Sequence, residues 1–297
     1  MEVRLAKTAG FCYGVKRAVE LVYKAVDDAA ESGAGKRDIY TYGPIVHNET
    51  VVDELKMRGV GVIEDREMLM DLLSSGKLAD AVIIIRAHGA PREIFESIKR
   101  FAPKAEIIDA TCPHVKRIHD IVTERHAMGD RIAICGDPDH PEVKGILGQI
   151  NGDAEVFNDT DSAAAFELPE GERLTFVSQT TQSTAKFQDI VDILNKKSYY
   201  TNVIDTICNA TQRRQSEAAD LASKCDAMLV IGGRNSSNTR KLYDICLSEC
   251  KRTYLIQSIT DIKGTIDHSV RCVGITAGAS TPRTIIEEVF KYVRDEF

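Results

Sequence analysis

Three cysteines open three near-copies of one motif. The segments AGFCYGVKRAVE, DATCPHVKRIHD and DTICNATQRRQS place Cys12, Cys112 and Cys208 roughly 100 residues apart. Each follows a short strand-like stretch and precedes a helical pattern, and self-similarity of this kind restricts the chain to repeated copies of one supersecondary unit. After Cys12, residues Val15, Ala18, Val19, Val22, Ala25 and Val26 recur with the spacing of one buried helix face. Val115, Ile118, Ile121 and Val122 do the same after Cys112. Lys-Arg stands at the fourth and fifth positions past the first two thiols, where the third repeat has Gln212 and Arg213.

Each repeat holds two further strands that end in polar turns, Gly-containing in the first set. One set is YTYGPIVHNETVVDEL, IAICGDPDHPEVKGIL and MLVIGGRNSSNTRKLYDI; the other is VIIIRAHGAPREIFES, LTFVSQTTQSTAKFQD and CVGITAGASTPRTIIEE. The apolar runs GVGVIED, AEVFND and TYLIQS each add one more strand. Strands alternating with helices imply parallel sheets, and a continuous run such as 81–85 suits a strand covered on both faces. The expected fold is therefore α/β, with three similar lobes at 13–111, 112–205 and 206–297. Each lobe is a small, mostly parallel sheet flanked by helices, and the N-terminal strand within 1–12 completes the third sheet. Parallel units carry functional loops beyond the carboxyl ends of their strands, so three inward-facing lobes would share one central site.

A thiolate at a helix start is favoured by unpaired amides and the positive dipole end, which prepares it for metal. Cys12, Cys112 and Cys208 all have that placement. The other cysteines, at 135, 225, 246, 250 and 272, do not, and read as core packing; Cys246 and Cys250, one helical turn apart, are the only rival ligand pair. Eight cysteines in 297 residues without any CxxC fit neither a secreted disulfide framework nor a zinc ribbon. Three thiolates suit a zinc ion with an open position or a cubane cluster with one open iron, and spacing leaves both choices standing. A net charge of -7 offers no field for nucleic acid or anionic lipid. No apolar run approaches the ~20 residues that span a bilayer, and the N-terminus lacks a secretory pattern, so a cytoplasmic protein is expected.

The strand-end loops carry His47, His88, His140, Glu142, Thr180, Thr181, Ser236, Ser237, Asn238 and Ser280. Neutral hydrogen-bonding groups near helix starts cradle a small phosphate or diphosphate without a basic patch. Glu142 is the carboxylate set inside these loops beside a histidine, which suits proton delivery, with Asp139 as its competitor. His114, His119, His126 and His268 have no such setting and are set aside.

Taken together, AGFCYGVKRAV, GPIVHN, RAHG, DATCP, HPEVKG, SQTT, the Cys208 segment, NSSN and TAGAS resemble the 4-hydroxy-3-methylbut-2-enyl diphosphate reductase family along essentially the whole chain. The resemblance implies a trefoil of three α/β lobes around a central 4Fe-4S cluster held by Cys12, Cys112 and Cys208, which decides for iron over zinc. It implies reductive dehydroxylation of the diphosphate at the open iron to isopentenyl and dimethylallyl diphosphate, within non-mevalonate isoprene biosynthesis. It further implies diphosphate binding by His47, His88, His140, Ser236, Ser237, Asn238 and Ser280, ordering of the hydroxyl by Thr180, and proton donation by Glu142. Electrons would come from an external carrier such as ferredoxin or flavodoxin, since no dinucleotide fingerprint occurs. The competing readings are a zinc-dependent hydrolase of a small phosphate ester and a non-enzymatic thiol redox sensor.

Overall fold

A computed structural model describes residues 1–31, 37–262 and 269–296; His268 lies outside them. The chain opens with β1 (Glu2–Leu5) and α1 (Tyr13–Glu31), whose buried face is formed by Ala18, Val19, Val22 and Ala25. There follow β2 (Ile39–Tyr42), α2 (Glu49–Met57), β3 (Val60–Ile63), α3 (Arg66–Ser74), β4 (Val82–Ile85), α4 (Arg92–Phe101) and β5 (Glu106–Asp109). The second repeat runs α5 (Pro113–Ala127), β6 (Arg131–Cys135), α6 (Pro141–Leu147), β7 (Glu155–Phe157), α7 (Thr160–Ala165), β8 (Leu174–Ser178), α8 (Thr184–Lys196) and β9 (Thr201–Val203). The third runs α9 (Asn209–Ala222), β10 (Ala227–Ile231), α10 (Ser237–Glu249), β11 (Thr253–Ile256), β12 (Cys272–Ala277) and α11 (Arg283–Glu296).

These strands form three four-stranded sheets, ordered β3-β2-β4-β5, β7-β6-β8-β9 and β11-β10-β12-β1, and every pairing is parallel. The order is the same three times over. The strand leading to each repeat cysteine (β5, β9 or β1) lies at one edge, and the short apolar run (β3, β7 or β11) lies at the other. The inner strands are buried along their length, as in β4, apart from the first residues of β6 and β12, whereas the cysteine-side edges keep more exposed positions. Full burial of Ile83, Ile84 and Ile85 contributes roughly 1.5–3 kcal/mol per side chain. Residues 1–16, 47–51 and 208–297 form one compact unit, and 17–46 with 52–207 form another. Among the described residues, no helix is long and apolar enough to cross a membrane.

Candidate metal and substrate site

Each repeat cysteine begins its helix in the same way. The amides of Lys16, Lys116 and Gln212 donate to the carbonyls of Cys12, Cys112 and Cys208 at 2.9, 2.9 and 3.0 Å. The cysteine carbonyl thus accepts the first helical bond, and the side chain sits at the helix start, where the first-turn amides have no helical partner. Because this bond is made by the backbone, the change from Lys to Gln at 212 leaves it intact. All three thiols are half-buried, and donors of this softness and placement fit an iron–sulfur cluster or zinc.

In the unit containing residues 1–16 and 208–297, the Cys12 amide donates to the Ala279 carbonyl at 3.4 Å, fixing the thiol against the loop that follows β12. Arg214, one and a half turns past Cys208 and 3% exposed, donates to the carbonyls of Thr8 (2.9 and 2.7 Å) and Gly10 (2.7 Å). Glu217 accepts from the amides of Lys7 and Thr8 and from the Thr8 hydroxyl. The α9 helix thereby clamps the approach to Cys12. Burial lowers the Arg214 pKa, and the charges of Cys12, Cys208 and Glu217 oppose that shift. In the same unit, Ser236 caps α10, its hydroxyl accepting from the Thr239 amide, and the Ser280 hydroxyl donates to the His47 carbonyl at 3.0 Å. Asn238 is buried, and among the described residues neither of its side-chain polar atoms has a hydrogen-bond partner, a costly arrangement that a polar ligand would relieve.

In the other unit, the Cys112 amide donates to the Ala87 carbonyl at 2.9 Å, the counterpart of the Cys12 bond. Arg17, from α1, donates to the carbonyls of Thr111 and Asp109 at 3.2 and 3.3 Å, so a helix that follows one cysteine again braces the approach to another. The imidazoles of His88 and His140 meet edge to face with centroids 5.4 Å apart. His140 caps α6, its Nδ1 accepting from the Glu142 amide at 3.1 Å, which assigns the ring proton to Nε2. The carboxylate of Glu142, 1% exposed, accepts from the Thr180 amide and hydroxyl. Asp139 is 91% exposed and pairs with Lys144, so it does not compete with Glu142 for a buried role.

Several residues here carry no local sequence signal. Arg17, Arg214 and Glu217 act on backbone groups far away in the chain. His119, set aside in the sequence, packs between the two histidine loops: a Cβ at Gly89 (φ +75) would lie 2.8 Å from its ring, and one at Gly145 3.5 Å. Cys246 and Cys250 each direct the sulfur to a backbone carbonyl, of Ala218 and Cys225 respectively.

The LytB protein family model matches residues 3–294. A Thermoanaerobacter protein named 4-hydroxy-3-methylbut-2-enyl diphosphate reductase is 40% identical over 294 residues, covering 99% of this chain and 97% of its own. A protein of the same name from Caldanaerobacter subterraneus is 42% identical with the same coverage. The solved E-1-hydroxy-2-methyl-but-2-enyl-4-diphosphate reductase of Plasmodium falciparum superposes with a TM-score of 0.87 at 30% identity, over 99% of this chain and 87% of that one. A second solved structure, titled as the terminal enzyme of the non-mevalonate pathway, gives 0.67 at 36% identity, covering 99% of this chain and 100% of that one. The three parallel sheets flanked by helices are the fold of these reductases, and the chain belongs to the LytB family.

Proposed function

We propose that this chain is an iron–sulfur oxidoreductase that reductively removes the hydroxyl of 4-hydroxy-3-methylbut-2-enyl diphosphate, giving isopentenyl and dimethylallyl diphosphate. The observation that carries the reading is the threefold helix-capping placement of Cys12, Cys112 and Cys208, in a chain whose relatives bear the reductase name. These thiolates would hold a 4Fe-4S cluster, one per chain. When bound, such a cluster supplies one-electron transfers and a Lewis-acidic iron.

The remaining work falls to the chain. His47, His88, His140, Ser236, Ser237, Asn238 and Ser280 bind the diphosphate, with Asn238 contributing a buried amide that has no partner among the described residues. Thr180 spends its proton on Glu142 and keeps its lone pairs to orient the substrate hydroxyl. Glu142 is the proton donor. Two electrons and two protons enter, the C–O bond breaks, and the hydroxyl leaves as water. An external carrier such as ferredoxin or flavodoxin delivers the electrons, in the cytoplasm. Lobes at 13–111, 112–205 and 206–297, with 1–12 joined to the third, are proposed because each range carries one of the three sheets.

The test is anaerobic incubation of cluster-loaded protein with the hydroxylated diphosphate and a chemical reductant, followed by mass spectrometry. Formation of the two five-carbon diphosphates supports the reading; unchanged substrate, or release of inorganic phosphate instead, overturns it.

A further inference from the structure

Two of the cysteines that sequence reading assigned to core packing are neither fully buried nor isolated. Cys225 lies between α9 and β10, and Cys272 opens β12, the strand paired with β10 in the register Ala227↔Val273. That register sets Cys272 level with Asp226, the residue after Cys225, and the two sulfurs lie 3.3 Å apart. From this geometry we propose that Cys225 and Cys272 form a redox-active dithiol that closes to a disulfide on oxidation by a small peroxide.

The surroundings favour closure. The Asp226 carboxylate accepts from the amides of Arg271 and Cys272 at 2.9 and 3.0 Å, which ties together the two backbone segments that a bridge would join. Both residues are half-buried, so a small oxidant has access, whereas Cys135 and Cys246 are 0% exposed. Closing from thiol contact to an S–S bond of ~2.05 Å needs less movement than a side-chain rotamer change. Arg4, on the neighbouring strand β1, has both sulfurs within electrostatic reach. Burial pushes the Cys225 thiol up to about 12, with its contact to Cys272 adding to the rise.

The chemistry balances without the metal site. One sulfur of the pair, as its thiolate, attacks one peroxide oxygen, the O–O bond breaks, and hydroxide leaves, giving a sulfenic acid. The other sulfur then attacks the sulfenic sulfur, the S–O bond breaks, and the oxygen departs as water with the thiol proton. Two thiols are oxidised and one peroxide is reduced to two waters. The pair sits at the amino end of β12, five residues and roughly 17 Å from the carboxyl end, beyond which the loop carrying Ala279 meets Cys12. The bridge would therefore staple β10 to β12 without engaging a proposed cluster ligand, and the inference stands whether or not the cluster is present.

The full-length protein, as purified, is treated with hydrogen peroxide, alkylated and digested with trypsin. Cleavage after Lys224, Arg234, Arg271 and Arg283 isolates Cys225 in peptide 225–234 and Cys272 in 272–283, while Cys250 falls in 242–251. The proposal predicts that most oxidised chains yield 225–234 linked to 272–283, two hydrogens lighter than their sum. It also predicts a rise in melting midpoint that dithiothreitol reverses and that is absent in Cys272→Ser. Full alkylation of Cys225 and Cys272 after treatment overturns it, as does linkage of Cys225 to 242–251 in preference. The wild-type peptide map decides the question even where the variant fails to fold.

Discussion

The carboxylate of Glu142 accepts two hydrogen bonds from one residue: Oε1 from the Thr180 amide at 2.6 Å and Oε2 from the Thr180 hydroxyl at 2.7 Å. This ties the first turn of α6 to the loop after β8 and fixes both carboxylate oxygens by donors with little freedom. A buried carboxylate held in this way is oriented before substrate arrives. The two bonds are also separable by mutation, because only one depends on the Thr180 side chain.

Glu142→Gln keeps an accepting oxygen and the side-chain shape, so the fold and metal content are expected to be retained while turnover falls by ~10²–10⁴, the usual loss when a positioned proton donor is removed. Thr180→Val deletes the hydroxyl bond alone. It is expected to cost about 1–3 kcal/mol of stability, from the unsatisfied buried oxygen, with a smaller loss of turnover. Denaturant midpoints and initial rates check both; wild-type turnover in Glu142→Gln would remove that residue from the mechanism.

The arginine braces are expected to differ in strength. Arg214 is buried and makes three bonds of 2.9 Å or less to Thr8 and Gly10, whereas Arg17 makes its two at 3.2 and 3.3 Å and is less buried. Arg214→Met should therefore lower the unfolding free energy by about 1–3 kcal/mol or more, through orphaned carbonyls, and Arg17→Met by less. Urea titration of the metal-free chains measures this, and equal effects would contradict the ranking.

Burial lowers the His119 pKa from 6.5 to about 4, with the charges of Asp109 and Asp120 opposing the shift and Lys116 adding to it. Its Nε2 has no hydrogen-bond partner among the described residues. The folded state holds the neutral ring, while the unfolded chain binds a proton below 6.5. The resulting stability is fully present above pH 6.5 and is lost as pH falls toward about 4, amounting to on the order of 3 kcal/mol. His119→Gln should flatten the pH dependence of the urea midpoint across that window; an unchanged slope would show that the ring is not kept neutral by its site.

The strands were legible because their burial is continuous: Val82 to Ile85 cannot face water on either side of the sheet. The helix starts at the three cysteines were legible because the apolar period begins just past each thiol. Arg214 and Arg17 were not, since their partners are main-chain carbonyls 204 to 206 and 92 to 94 residues away, and a main-chain acceptor leaves no mark on residue identity. His119 was set aside because a histidine on an amphipathic helix looks alike whether it faces solvent or two glycines. Cys225 and Cys272 read as core filler, since only the parallel pairing of β10 with β12 sets them side by side.

Metal analysis tests the central claim most directly. Protein purified without oxygen is expected to be brown and to contain about four irons and four acid-labile sulfides per chain. Replacement of Cys12, Cys112 or Cys208 by Ser should each deplete both. One zinc per chain with no iron, or full iron in all three variants, would contradict the account.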